Sequence, residues 1–369
     1  MRIIQVCTSR NKLRGGAEKF CLKLVTSLAE YGHDVTLVTG DREASFVDHI
    51  PPKSVSIPEA RNLVARKIFL DYFNPYAVRA FRTLVNDIKP DLIHFHSFYG
   101  LSSSLAWVAK TYCPVIVTLH DSWCAFYDSS IMPPERNFAN KAWKAPLGYL
   151  HRKANQFFLR DTLLISPSIW LRMYFEKTGF LSPTHIPNGI ADSHSTTSYS
   201  NILLWVGDLN KFKGLPSIID TLVSRTAQMH WRLVVVGDGP YRKTMRSKYP
   251  TVEFVGYCDP EPYYRQASIL IFSSIGYENF PTVILEAMQH GICVVGYNVG
   301  GGGVTELVQD KKTGILYNSL DSLSESLLRL MADRKEIRRL GTAAKKITLF
   351  NYCWDKCYSR YLSLYRSLN

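Results

Sequence analysis

The chain has 369 residues, 46% apolar and 20% charged, with a formal net charge of +13 at pH 7. That length predicts two domains, and the balance of apolar to charged residues excludes an intrinsically disordered chain. Apolar runs fall short of the roughly 18 residues needed to cross a bilayer, and MRIIQVCTSR reads as a strand and not as a signal peptide. In chain order, MRIIQVCT predicts a strand, AEKFCLKLVTSLAEYG a helix ending at Gly32, and HDVTLVTG a second strand. PDLIHFHS, CPVIVTLHD and TLLISPS predict further strands, and residues 183–190 read as a Pro/Asn/Gly turn. NILLWVGDL restarts the rhythm, followed by a helix over PSIIDTLVSRTA and strands at RLVVVGDGP, TVEFVGY, ASILIFSS and ICVVGYN. Continuous apolar strands alternating with helices in both halves predict two doubly wound parallel sheets. Such sheets bind ligands beyond the C-terminal ends of their strands. A last helix near residues 352–367 carries Trp354, Tyr358, Tyr361, Leu362 and Tyr365 on a face suited to packing.

The positive charge suits nucleic acid, an anionic membrane or phosphorylated ligands. Nucleic acid is disfavoured, because no helix-turn-helix, zinc-finger or RNA-recognition signature is present. The eight cysteines are scattered, several within apolar strands, which suits reduced core thiols in the cytosol. Arg61, Arg66, Lys67, Arg79 and Arg82 form one basic segment. In residues 136–160, Arg136, Lys141, Lys144, Arg152, Lys153 and Arg160 interleave with Phe138, Trp143, Tyr149, Phe157 and Phe158. This mixture fits either an anionic membrane surface or a helix with one solvated and one packed face.

The richest stretch is GYENFPTVILEAMQHG, residues 276–291, whose Glu278 and Glu286 are separated by seven residues. Proline suits the start of a helix and glycine the position just past its end, so a helix is expected from Pro281 to His290. Glu278 then lies on the loop before a helix N-terminus, where backbone N–H groups attract anions. Gly15-Gly16 open the first helix and allow either a close approach to phosphate or a tight turn. Gly207-Asp208-Leu209 with Lys211, Lys213 and Gly214 occupy the same place in the second half, where lysine reaches a diphosphate as a point charge. Gly237 begins a turn at the next strand end, and Gly300 to Gly303 bring bare backbone to another. His94 and His96 share one strand, and His120 and Asp121 end the next.

The ordered set GGAE at 15–18, TLHD at 118–121, IPNG at 186–189, VGDLNKFKG at 206–214, VVVGDGP at 234–240, VEFVGY at 252–257 and YENFPTVILEAMQHG with the glycine run resembles the retaining glycosyltransferases of family 4, of the bacterial envelope polysaccharide type. The resemblance covers nearly the whole chain. It implies the GT-B fold: two Rossmann-like α/β domains facing across a cleft, with a C-terminal helix packing back on the N-terminal domain. Residues 1–188 would bind the acceptor, 189–351 the nucleotide sugar, and 352–369 would form the crossing helix. The implied activity is transfer from a nucleotide-diphosphate sugar, with a UDP-sugar expected, to a hydroxyl of a lipid-linked or envelope glycan. The alternative is a catalytically weak nucleotide-sugar-binding partner subunit.

By the same resemblance, Glu278, His120 and Lys213 would be catalytic. Gly16, Gly207, Lys211, Lys213, Gly237, Tyr257, Glu278, Asn279, Phe280, Pro281, Thr282, Glu286, Gly301 and Gly302 would contact the donor. Within that set Glu286 would hold the ribose hydroxyls, Lys213 the diphosphate, and the Val255-Gly256-Tyr257 backbone the base. Asp121, His96 and Tyr99 would meet the acceptor. No metal or other cofactor is implied. The protein would be cytoplasmic, resting on the inner membrane face through its basic segments. One departure stands out: the family places arginine between glycine and leucine where this chain has Asp208.

Overall fold

Parallel strands and covering helices alternate along the chain in the computed structural model, which describes residues 1–7, 15–40, 54–57, 73–98, 100–125, 145–191 and 197–368. These fall into two units, one running to Pro187 and including Cys357 onward, the other Asn188–Lys356.

The first unit contains β1 (Arg2–Val6), α1 (Gly16–Glu30), β2 (Asp34–Thr39), β3 (Ser54–Ser56), α2 (Pro75–Ile88), β4 (Leu92–Phe95), α3 (Ser104–Ala109), β5 (Val115–Thr118), α4 (Ala145–Leu159), β6 (Leu163–Ser166), α5 (Ile169–Lys177) and β7 (Thr184–His185). The strands pair in parallel in the order β3-β2-β1-β4-β5-β6-β7. The segment expected as a turn at 183–190 supplies β7, whose two residues extend the sheet beside Ile165 and Ser166. Local chemistry sets the helix ends. Asn74 caps α2 by accepting the Ala77 N–H at 3.1 Å, and Pro75 supplies a fixed φ at the first position. Gly32, with φ of +83°, lets the chain leave α1 in the left-handed region.

The second unit contains β8 (Ile202–Val206), α6 (Leu215–Gln228), β9 (Arg232–Val236), α7 (Arg242–Lys248), β10 (Glu253–Gly256), α8 (Glu261–Tyr264), β11 (Ile269–Phe272), α9 (Thr282–Gln289), β12 (Cys293–Tyr297), α10 (Gly303–Leu307), β13 (Gly314–Tyr317), α11 (Leu320–Ala332) and α12 (Arg334–Asn351). Its parallel order is β10-β9-β8-β11-β12-β13. Alternate residues bury on opposite faces: Leu203, Trp205, Leu233 and Val235 on one, Ile202, Leu204, Val234 and Val236 on the other. Burial on both faces is why these strands read as unbroken apolar runs.

The final helix, α13 (Trp354–Ser367), begins in the second unit and ends in the first. Its Tyr358, Tyr361 and Tyr365 are buried, spaced by three and four residues. The aromatic stripe is therefore core, as its helical spacing predicts.

Candidate active site

Both sheets reverse strand order beside their first strand: β1 lies between β2 and β4, and β8 between β9 and β11. Loops from adjacent strands part there, opening a crevice at the strand C-termini.

In the second unit this point is fixed by a short polar chain. Trp205, near the end of β8, donates its indole N–H to the Ser273 hydroxyl at 3.0 Å, and that hydroxyl donates to the Lys213 carbonyl at 2.8 Å. The Lys213 N–H donates to Asn210 Oδ1 at 3.0 Å. Gly214 follows with φ of +77°, and a Cβ there would lie 1.9 Å from the Ser273 carbonyl oxygen, so only glycine fits. Pinned in this way, Lys213 sends Nζ to Glu278 Oε1 at 2.8 Å, with both side chains mostly buried. The Ser274 hydroxyl donates to the same Oε1. Two donors on one oxygen, one of them cationic, hold Glu278 as an oriented carboxylate.

The backbone carrying Glu278 is braced by the glycine run. Gly303 donates its N–H to the Glu278 carbonyl at 2.7 Å, and a Cβ on Gly303 would sit 2.2 Å from the Asn279 carbonyl oxygen. Gly302 (φ +81°) likewise faces the Glu278 backbone. Close approach is thus used against protein backbone at Gly302 and Gly303, whereas the sequence pattern directs it at a ligand. Gly301 is half-buried beside them. Pro281 is the N-cap of α9, in extended conformation, so Thr282 begins the helix and Gln289 ends it, one residue inside each expected limit. Phe280 packs edge-on to Tyr352 with ring centroids 5.9 Å apart. On α9, Glu286 Oε2 accepts the Tyr264 hydroxyl at 2.9 Å. Burial, with the adjacent Glu286 carboxylate, raises the Tyr264 hydroxyl pKa well above its ordinary value and keeps it a donor.

The neighbouring strand ends converge. Gly207 and Gly256 carbonyls crowd Gly237, whose own N–H donates to Gly256 at 2.8 Å and whose Cβ would lie 1.9 Å from the Gly207 oxygen. Tyr257 follows with half its surface exposed. Lys211 and Asp208 are exposed on their loop. Sequence reasoning missed Arg242, whose guanidinium lies over Gly256 and pairs with Asp238 at 3.6 Å. Its position directly after the Gly237 turn, at the head of α7, was the available signal. Ser274 and Tyr264 were missed too, since nothing in their local sequence marks a partner carboxylate.

In the first unit, His96 follows β4 and His120 follows β5. A crevice there is lined by His96, Ser97, Phe98, His120, Asp121 and Trp123. Asp121 Oδ1 accepts the Trp123 N–H at 2.8 Å. His96 is buried, with Nδ1 3.0 Å from His120 Nε2 and Nε2 2.8 Å from Gln5 Oε1. Both of its nitrogens are thus engaged with protein groups. Burial depresses all three clustered histidines; His94 and His96 lie well below the ordinary value and His120 is lowered to about 3. At neutral pH they are uncharged. Phe20 of α1 packs on His120 with ring centroids 5.4 Å apart. Gly16 starts α1, and Glu18 folds back over Gly15, its carboxylate filling the space a Gly15 side chain would need. Negative charge at a helix N-terminus is favourable. Burial raises the Glu18 pKa. Tyr99, Arg61, Arg66, Lys67, Arg136, Phe138, Lys141, Trp143 and Lys144 lie outside the described residues.

Two doubly wound units, one with an oriented lysine–carboxylate pair at its switch point, have the architecture of the GT-B fold. Residues 14–194 match the model of Glycosyltransferase Family 4, and residues 200–333 match Glycosyl transferases group 1. The chain belongs to the family 4-type glycosyltransferases. It is 24% identical over 324 residues to an uncharacterized 42.6 kDa protein in the cps region of Klebsiella pneumoniae, covering 79% of this chain and 83% of that one. It is 23% identical to the GDP-mannose-dependent alpha-mannosyltransferase of Corynebacterium glutamicum, covering 87% of this chain and 78% of that one. Its fold matches the crystal structure of Anabaena HepE in complex with UDP-glucose, with a TM-score of 0.76 at 18% identity over the full length of both chains.

Proposed function

We propose that the chain is a retaining, metal-independent glycosyltransferase of polysaccharide biosynthesis that uses a UDP-sugar. The Lys213–Glu278 pair carries this reading. It sets a cation and a carboxylate 2.8 Å apart at the switch point, with Glu286 on the helix that follows. Lys213 and backbone N–H groups of its loop stabilise charge growing on the departing diphosphate. Glu278 orients donor hydroxyls and favours positive charge at the anomeric carbon. Glu286, held by Tyr264, takes the ribose hydroxyls. The bond from anomeric carbon to phosphate oxygen breaks as the acceptor oxygen bonds to the same face. The acceptor proton passes to the leaving phosphate oxygen.

In the first unit, His120 and Asp121 receive the acceptor, with His96 acting through His120. His120 stays neutral, so it accepts a hydrogen bond from a sugar hydroxyl and does not take the proton. The acceptor is a lipid-linked or envelope glycan, and the protein works in the cytoplasm on the inner membrane face. Helix α4 supports that placement. Tyr149, Leu150 and Phe157 are about half exposed, with Arg152 and Lys153 over the Tyr149 ring and Arg160 over Phe157. Its buried face holds polar His151 and Asn155 beside apolar Leu159, so much of its apolar surface faces outward. Among the described residues no helix is long and apolar enough to cross a membrane. Co-sedimentation with anionic vesicles at low salt tests this placement, and protein left in the supernatant counts against it.

UDP-bound HepE supports the uridine base; the mannosyltransferase relative supports guanosine. Thermal unfolding against UDP, GDP, ADP and their sugar conjugates decides between them. Ligand at 100 times its dissociation constant adds about 2.7 kcal/mol. Product stereochemistry by NMR then tests retention. Binding without turnover favours the partner-subunit reading, which rests on Asp208 standing where the family has arginine.

A further inference from the structure

Behind His120 lies a buried chain of polar groups of which the sequence motifs contain only Thr118. His96 Nε2 meets Gln5 Oε1, and Gln5 Nε2 donates to the Tyr365 hydroxyl at 3.0 Å. The Tyr365 hydroxyl is 2.6 Å from His94 Nδ1, His94 Nε2 is 2.8 Å from Thr118 Oγ1, and Thr118 Oγ1 is 3.1 Å from the Tyr361 hydroxyl. Gln5, His94, His96, Thr118, Tyr361 and Tyr365 are all buried. Gln5 comes from β1, the histidines from β4 and its end, Thr118 from β5, and the tyrosines from α13.

With the Gln5 amide oxygen toward His96, hydrogen-bond inventories give this chain a direction. Gln5 offers oxygen to His96, so His96 carries its proton on Nε2 and its Nδ1 is an acceptor. His120 must then donate from Nε2, which makes Nδ1 its acceptor nitrogen. At the other side, Tyr365 accepts from Gln5 and donates to His94 Nδ1, and His94 donates from Nε2 to Thr118. Every group from His120 to Thr118 then donates once along the chain. Reversing the Gln5 amide would reverse the run from His96 outward and put the His120 proton on Nδ1. The amide of Gln5 is the element that decides, since the Tyr365 hydroxyl between it and His94 can accept or donate.

We propose that Gln5, His96 and Tyr365 are positioning residues that fix His120 in the Nε2-protonated tautomer, so that its Nδ1 accepts a hydrogen bond from a substrate hydroxyl. This deepens the role given to His120 above and rests on that reading for its use in catalysis. It also gives the C-terminal helix a function: α13 supplies the hydroxyl that joins the Gln5 amide to His94. Low proton affinity of the three histidines keeps the chain neutral, which a fixed tautomer requires.

NMR of the full chain carrying 15N-labelled histidine tests the proposal without substrate. His120 resonances are assigned by their loss in His120→Asn. Wild type should show a neutral ring with Nε2 protonated and Nδ1 bare. Gln5→Met and Tyr365→Phe, each checked for fold by circular dichroism, should shift His120 toward a tautomer mixture. A wild-type His120 protonated on Nδ1 overturns the proposal. So do two folded variants with unchanged His120 signals. If Gln5→Met fails to fold, Tyr365→Phe and the wild-type tautomer still decide. Full turnover by His120→Ala would defeat the catalytic reading of His120 while leaving the tautomer result intact.

Discussion

The two switch points solve one problem with different chemistry. In the first unit, a polar site is kept by burying neutral imidazoles in a hydrogen-bond chain, with His120 lowered to about 3. In the second, the site is kept by a cation–carboxylate pair, Lys213 with Glu278, set on loops that glycines press against backbone. Desolvation makes charge expensive, so the first site presents neutral, directional hydrogen-bonding groups. Pairing makes charge affordable, so the second suits an anionic diphosphate and a developing positive sugar. The lesson is that one fold can assign neutral recognition and charge stabilisation to its two copies of the same topology.

The largest effect should come from breaking the charged pair. Lys213→Ala should lower turnover by about 10²–10³, the usual cost of removing a group that stabilises transition-state charge. A loss under tenfold in steady-state assays would sink its assigned role. Next, Gly214→Ala places a side chain where the Ser273 carbonyl stands, at a φ of +77°. It should destabilise the second unit by about 3 kcal/mol in urea unfolding. A smaller cost would mean that the lysine loop yields easily.

Acid should separate the two units. His120 folds with its pKa below the ordinary 6.5, so the unfolded chain binds the proton first as pH falls. The stability of the neutral ring is complete above about 6.5 and is lost progressively as pH falls toward 3. From His120 alone the loss should be about 2 kcal/mol by pH 5. His94 and His96 shift in the same direction and add to it. Hydrogen exchange at pH 5 should show β1, β4 and β5 opening before β8 and β11; simultaneous opening would erase the contrast. The smallest effect is expected for Tyr264→Phe, which removes one hydrogen bond to Glu286 and should cost about 1 kcal/mol. Under the proposed role of Glu286 this appears as a roughly fivefold rise in donor KM with little change in kcat.

Much of this was legible in the chain. Apolar runs placed β1, β2, β4, β5, β6 and β8 to β12, because strands buried on both faces need unbroken apolar residues. β3, β7 and β13 escaped notice, being three, two and four residues long at sheet edges. The sequence around Glu278 and Glu286 showed a loop entering a helix, and Pro281 and Gly291 marked its limits to within a residue. The same reading directed the glycine run at a ligand, while Gly302 and Gly303 lie against the Glu278–Asn279 backbone. A glycine announces close approach without naming what approaches.

Periodicity and turn residues thus determined two parallel α/β sheets, and the ordered set of motifs with its family resemblance marked the candidate lysine and carboxylates. These are local properties, carried by residues near one another in sequence. Only the tertiary structure decided that Lys213 pairs with Glu278 across 65 positions, that Tyr264 holds Glu286, and that Tyr365 reaches Gln5 across 360. Hydrogen bonds need partners within about 3 Å and in the right direction. A chain folded through crossovers brings such partners together from strands and helices whose sequences give no sign of each other.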